Sequence, residues 1–296
     1  ETSDAEIERL AALCKKNGCD VLIASGGGKV IDAVKAAAED AGVPAVVVPT
    51  VASNDAPCSA LTVVYNENGT FSRLRPLKRN PALVLVDTEI IIKAPVRLLV
   101  AGMGDALATW FEARSCERTQ SVNECGGYGT TVGLHISKLC YETLLTYGAA
   151  AKVASQQKVI TPALEHIVEA NILLSGIGFE SAGLAAAHAI HNGLTALAET
   201  HAFYHGEKVA FGVLAGLQLT DAPPDESSTV FQFCETVGLP TTLADLGLAG
   251  ANRETLMEAA EKTCTPDQPI HHEAGVITGE RVLDAMLAAD ALGQQR

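Results

Sequence analysis

The feature that most limits how this chain can fold is a change of pattern at Pro95. Before it, short apolar runs alternate with helical periodicity. From 96 to 296 no convincing strand appears and helix-start signals recur. Ser3 followed by Glu6 forms a capping box, and Ile7, Leu10, Ala11 and Cys14 repeat at helical spacing until Gly18. Val21 to Ser25 then reads as a buried strand, Gly26 to Lys29 as a glycine turn, and the pattern through Val34 and Ala38 to Gly42 as a helix. Further strands are expected at Ala45 to Val48 and Leu83 to Val86. Leu61 to Tyr65 and Thr70 to Leu74 form a hairpin turning at Asn66 to Gly69. In the second half, helices are expected to start at Thr161-Pro162, to run from Asp225 to near Gly238, and to cover Asn252 to Cys264 and Thr278 to Leu292. The expected architecture is an α/β N-terminal nucleotide-binding domain, Rossmann-like and incomplete, over 1–95, followed by an all-α domain over 96–296. A doubly wound sheet ordinarily begins on a strand and this chain begins on a helix, so a further upstream segment of the sheet is expected.

Composition narrows the partners. Of the 296 residues 48% are hydrophobic and 19% charged, which is ordinary globular usage. The net charge of −14 and the lack of a Lys/Arg-rich run argue against nucleic acid or an anionic membrane as the main partner. No apolar run approaches the roughly 20 residues that span a bilayer. Eight scattered cysteines with no CxxC pair suit reduced thiols in a cytoplasmic protein, with Cys14, Cys140 and Cys234 in core patterns. A small molecule is the expected partner.

Two stretches of the first half suggest a ligand. The turn Gly26-Gly27-Gly28-Lys29 joins a strand to a helix, where backbone N–H groups favour a phosphate; the same glycines also suit plain tight packing. It is neither a Walker A loop nor GxGxxG. The loop from Pro49 to Ala60 leaves the carboxyl end of a strand, the edge at which open α/β sheets bind ligands, and its one acid is Asp55. Self-bonding of its Asn, Asp and Ser side chains is the alternative.

Chemistry is expected in the stretch 183–208, which holds four of the eight histidines. A helix over Gly183 to Asn192 would place His188 and His191 three positions apart on one side. His205 follows seventeen residues after His188, beyond Gly193, on a second helix that could approach the same ion. A catalytic zinc site usually takes three protein ligands. Asp105, an acid set in the apolar stretch with Ala106, Leu107 and Trp110, is the third candidate, because an unpartnered buried carboxylate is costly. The alternatives are histidines bonded to backbone and a carboxylate serving N–H groups near a helix start.

GGGK at 26–29, PTVASNDAPCSALTVVY at 49–65, RNP at 79–81, KAPVRLLVAGMGDAL at 93–107, SGIGFESAGLAAAHAIHNG at 175–193 and YHGEKVAFG at 204–212 together resemble the glycerol dehydrogenases of the iron-containing alcohol dehydrogenase superfamily, which also includes dehydroquinate synthase. The resemblance runs nearly from end to end, to Leu292-Gly293-Gln294-Gln295. It implies a dehydroquinate synthase-like fold with Asp105, His188 and His205 on a catalytic metal, zinc or alternatively Fe2+, and His191 beside them. It implies NAD, its pyrophosphate at Gly28 and Lys29, with Thr50, Ser53, Ser59, Leu61 and Tyr65 along the rest of the cofactor. Asp55 would touch a polyol, oxidised in the interdomain cleft to a ketone, dihydroxyacetone where the polyol is glycerol. Homo-oligomers are implied as well. Asn54 stands where the family commonly has Thr, and the acid that binds the adenine ribose has no counterpart in this sequence, which leaves NAD over NADP without its deciding residue. The competing readings are a dehydroquinate synthase-like lyase, which would call for clustered Lys and Arg near the histidines, and a non-catalytic metal-stabilised or truncated homologue.

Overall fold

In a computed structural model that describes residues 2–67 and 71–296, the first half builds around a short parallel sheet. Ser3 Oγ accepts the Glu6 N–H at the start of helix α1 (Asp4–Asn17), and Gly18 closes it in the left-handed conformation at φ 63°. Strand β1 (Leu22–Gly26) leads through the glycine turn into α2 (Gly28–Ala41), and β2 (Ala45–Pro49) follows. Strands β3 (Leu61–Tyr65) and β4 (Phe71–Pro76) form the antiparallel hairpin; Asn68 and Gly69 of its expected turn and Thr70 of its expected second strand lie outside the described residues. β5 (Leu83–Val84) joins the sheet in the order β1-β2-β5, all parallel. The strand expected over Leu83 to Val86 is thus shorter, although the Leu85 N–H still bonds to Val47 O. One sheet face is buried through Ala24 and Val47 against Ile31 of α2, while Ala36 and Ala37 of that helix cluster with Ile7 and Ala11 of α1 and Val64 of β3. Ile23, Leu83 and Leu85 on this small sheet are more than half exposed.

After the short α3 (Thr88–Ile91) the chain is helical: α4 (Val96–Thr119), α5 (Thr131–Gln157), α6 (Pro162–Glu169), a π-helical turn (Ala170–Leu174), α7 (Ser175–Ala182), α8 (Ala186–Leu194), α9 (His205–Leu219), α10 (Pro224–Val237), α11 (Arg253–Thr263) and α12 (Gly279–Gln294). Among the described residues the only strand-like pairing here is an isolated bridge, Val122 to Tyr128. α4 is buried nearly all round from Leu99 to Ala113, as expected of a helix at the centre of a helical domain. It packs on α5, α7, α8 and α9. Ala52, Cys58, Ile91 and Ile92 of the first half belong to the same apolar core as these helices, so the connection at Pro95 is packed on both sides.

The helix expected over Gly183 to Asn192 begins three residues later, at Ala186. Gly183 has φ 102°, which side chains disfavour, and a Cβ there would stand 2.8 Å from Cys116 Sγ. Ala185 is not helical either, at φ −151°. No single helix among the described residues is long and apolar enough to cross a membrane.

Candidate metal centre and interdomain cleft

α4 and α9 can touch because glycines meet at their crossing. A Cβ on Gly206 would overlap Ala101 O, and one on Gly104 would overlap Gly206 O. That close approach puts Asp105, the neighbour of Gly104, opposite His205, the neighbour of Gly206. The start of α9 is fixed in turn by Glu207, whose Oε2 accepts the Tyr204 N–H at 2.7 Å and which pairs with Arg97 at 2.6 Å. Arg97 also lies over the Tyr204 ring, 4.8 Å from its centre. α8 supplies His188 from the other side.

Asp105, His188 and His205 each offer one ligand atom, and the three atoms lie within 4.8 Å of one another, the one such group of three among the described residues. His205 Nε2 is 3.0 Å and His188 Nε2 3.4 Å from Asp105 Oδ1, yet that buried oxygen makes no hydrogen bond among the described residues. Two ring nitrogens facing a bare carboxylate oxygen, without hydrogen-bond geometry between them, is the donor set that a cation centred among them would use. The residues present fit a metal ion.

Neighbouring groups fix which nitrogens face inward. His188 Nδ1 donates to Glu112 Oε2 at 2.6 Å, because a carboxylate only accepts. Asn192 Nδ2 donates to Gln268 Oε1 at 2.8 Å, so Asn192 Oδ1 accepts from His191 Nδ1 at 3.0 Å. His191 Nε2 is then an acceptor, and His205 Nδ1 donates to it at 3.0 Å. With a cation among them, both candidate ligands keep their proton on Nδ1 and offer the Nε2 lone pair to it. His191 stays beside the centre, its basicity pushed well below the usual range by burial and by His205. Burial works to raise the Asp105 carboxyl, but His205 and His188 outweigh it and hold the group below its usual range. For His188 burial favours the neutral ring, and Glu112 and Asp105 outweigh it and raise the group well above its usual range.

The loop from Pro49 to Ala60 closes over this centre. The Asp55 N–H donates to Asp105 Oδ2 at 3.3 Å, and Ser175 Oγ, on α7 just after the π-turn, donates to Asp55 Oδ2 at 2.8 Å. Burial, then the nearby Asp105 charge, push the Asp55 carboxyl up to about 8. The cofactor candidates form a separate band. Gly28 and Lys29 open α2, and the Thr50 N–H bonds to Gly26 O, which sets the loop beside the glycine turn. A Cβ at Gly28 would come 2.7 Å from Asn54 Nδ2. Ser53 lies half-buried between Ala52 and Asn54, while Ser59, Leu61 and Tyr65 continue into β3.

Sequence reasoning missed the residues that hold these groups. Lys35, 2% exposed, donates to Ala56 O, Ser59 O and Leu61 O and pairs with Asp32 at 3.2 Å. Glu180 accepts from the Ala60 N–H and from Asn80 Nδ2, both at 2.6 Å. Asn171, within the π-turn, donates to Ala52 O at 3.0 Å and Leu99 O at 3.1 Å. Glu112 was missed as well. Its only sequence signal is a charge in the buried α4, seven residues after Asp105 and so on nearly the same side.

A short parallel sheet is thus joined to a helical bundle in which Asp105, His188 and His205 converge. The sequence pattern of the iron-containing alcohol dehydrogenase family matches residues 1–88. The glycerol dehydrogenase of Thermotoga maritima is 57% identical over all of this chain and 81% of its own length, and that of Citrobacter freundii 52% identical over all of this chain and 81% of its own. The crystal structure of a probable glycerol dehydrogenase from Sinorhizobium meliloti superposes with a TM-score of 0.96 at 44% identity, covering 100% of this chain and 83% of that one. The chain belongs to the iron-containing alcohol dehydrogenase family, within its group of glycerol dehydrogenases.

Proposed function

We propose that this protein is an NAD-linked, metal-dependent oxidoreductase that converts glycerol, or a closely related vicinal diol, to the corresponding ketone, dihydroxyacetone in the case of glycerol. The reading is carried by the convergence of Asp105, His188 and His205 beneath a loop that brings a second carboxyl, Asp55, against them. Asp105, His188 and His205 hold the metal, as Zn2+ or alternatively Fe2+; two neutral rings and one carboxylate leave a divalent ion with net positive charge. Residues 1–95 carry NAD and 96–296 the metal and substrate. A divalent cation supplies the Lewis acidity that eases loss of a hydroxyl proton, and a nicotinamide supplies the hydride acceptor.

The chain's own residues do the rest. The start of α2 at Gly28 and Lys29 receives the cofactor's pyrophosphate, and Thr50, Ser53, Ser59, Leu61 and Tyr65 line its path toward the centre. Asp55, held by Ser175, hydrogen-bonds a second substrate hydroxyl and so selects a polyol over a simple alcohol. A phosphorylated substrate of the lyase kind finds little to hold it here: Lys208 is buried with Nζ near Thr200 O, and Arg97 is paired with Glu207. The eight cysteines are free thiols, which suits a cytoplasmic enzyme. Val132, Leu139 and Val153, exposed at spacings of seven and fourteen along α5, give an apolar stripe that suits a homo-oligomer.

The test is glycerol-dependent NADH formation by Zn2+- and Fe2+-loaded protein, with Asp55→Ala alongside. Turnover is expected with glycerol. Losing a buried hydrogen-bonding partner should raise the substituted enzyme's KM for glycerol about 10- to 100-fold, with the KM for NAD little changed. An unchanged preference for glycerol over 1-propanol removes Asp55 from the substrate pocket, and no NADH with either metal refutes the activity.

A further inference from the structure

We propose that Glu112 positions His188 for metal binding, and that it does so by capping, from a different helix, the helix on which His188 sits. The inference rests on the reading of Asp105, His188 and His205 as metal ligands. α8 starts without help from its own sequence, because Ala185 at its cap offers no side-chain acceptor. Glu112 fills that place from α4. Its Oε1 accepts the N–H groups of Ala185 and His188, each at 2.9 Å, and its Oε2 accepts His188 Nδ1–H at 2.6 Å. The Ala186 N–H goes to Glu273 Oε1 at 3.2 Å.

One carboxylate thus fixes where α8 begins and how the ring on its first turn is turned. Glu112 is 1% exposed, so water offers its oxygens no alternative partners and the three donors hold it in place. An acceptor at Nδ1 confines the ring proton to that nitrogen, and Nε2 is left to face Asp105 Oδ1. Asp105 and Glu112 stand seven residues apart on the same rigid α4, so one helix carries both a ligand and the holder of another ligand. His205 has no such anionic hold; its Nδ1 meets only the neutral His191.

Glu112→Gln separates holding the ring from capping the helix. The amide oxygen can still accept the two α8 N–H groups, whereas its NH2 meets Nδ1 and drives the ring proton onto Nε2. The dissociation constant for Zn2+, measured by chelator competition, is expected to rise about 10- to 100-fold, with the metal-free protein keeping a cooperative melt. An unchanged Zn2+ affinity overturns the inference, whatever happens to the Tm, since a purely structural cap would leave it unmoved. His188→Ala distinguishes this failure from that of the underlying reading. If His188→Ala keeps Zn2+ at full affinity, the ligand assignment fails and the inference with it; if it loses Zn2+ while Glu112→Gln does not, only the role of Glu112 fails. Should Glu112→Gln not fold, 15N-histidine NMR of the unsubstituted Zn2+-loaded protein decides. A proton on His188 Nδ1 is expected, and one on Nε2 overturns the inference.

Discussion

Two of the helices that start without a capping side chain of their own, α2 and α8, are treated in opposite ways by the fold. α2 follows Gly27, which offers no side chain at all, and its first turn carries Gly28 and the exposed Lys29. α8 follows Ala185, and the N–H groups of Ala185, Ala186 and His188 go to Glu112 and Glu273. In the proposed function the first start offers its backbone donors and the positive end of the helix to a ligand's phosphate. The second spends the same donors internally, and in return the helix is fixed firmly enough to aim an imidazole. A missing cap thus has no single meaning; what faces the helix end decides whether it binds a ligand or anchors a site.

The largest effect is expected at the metal ligands proposed for the site. His205→Ala should lower kcat/KM for glycerol by on the order of 10³-fold or more, while the NAD dissociation constant and the Tm change little. The helical part buries its own core and does not need an ion in order to fold. Metal content, calorimetry and NADH formation on the variant check this, and retention of both metal and turnover would remove His205 from the ligand set.

The loop between the two helix starts should give the next largest effect, as a function of pH. Asp55 sits near 8 in the folded chain against an ordinary value of 3.8, so the folded state keeps a proton that the unfolded state has released. Stability from this group is therefore lost as pH rises from about 4 to about 8, and is flat above. In chelated protein Asp55→Asn should gain on the parent through that window, by on the order of a few kcal/mol. Urea unfolding at pH 5, 7 and 9 measures it; parallel curves for the two proteins would show that Asp55 does not carry the shift.

The start of α2 is tested by Gly28→Ala. The new methyl meets Asn54 Nδ2 and stands where a pyrophosphate would approach, so NAD affinity should fall roughly tenfold with Zn2+ affinity unchanged. Fluorescence titration of NADH gives the number. The smallest effect is expected at the closed start. Glu273→Gln weakens a charge-assisted bond to the Ala186 N–H but retains an acceptor, and should cost about 0.5–1 kcal/mol in thermal stability with the metal retained.

The sequence by itself determined the local elements and the kinds of residue available to the site. Ser3 and Gly18 bound α1, Thr161-Pro162 starts α6, and the alternation before Pro95 becomes β1, α2 and β2, because each of these is decided within a few residues of chain. Asp105, His188 and His205 stood out for the same reason, as polar groups set among apolar or small neighbours. Only the tertiary structure decided where α8 begins, since the acceptors that stop it at Ala186 lie on α4 and just before α12. It alone also decided the roles of Lys35, Glu112, Asn171 and Glu180, each of which bonds to backbone or side chains at least 21 positions away. Their signal is a buried charge or amide with a distant partner. Periodicity can show that such a group is buried, but only the packing of α4 against α8 and α9, through Gly104 and Gly206, shows what it meets.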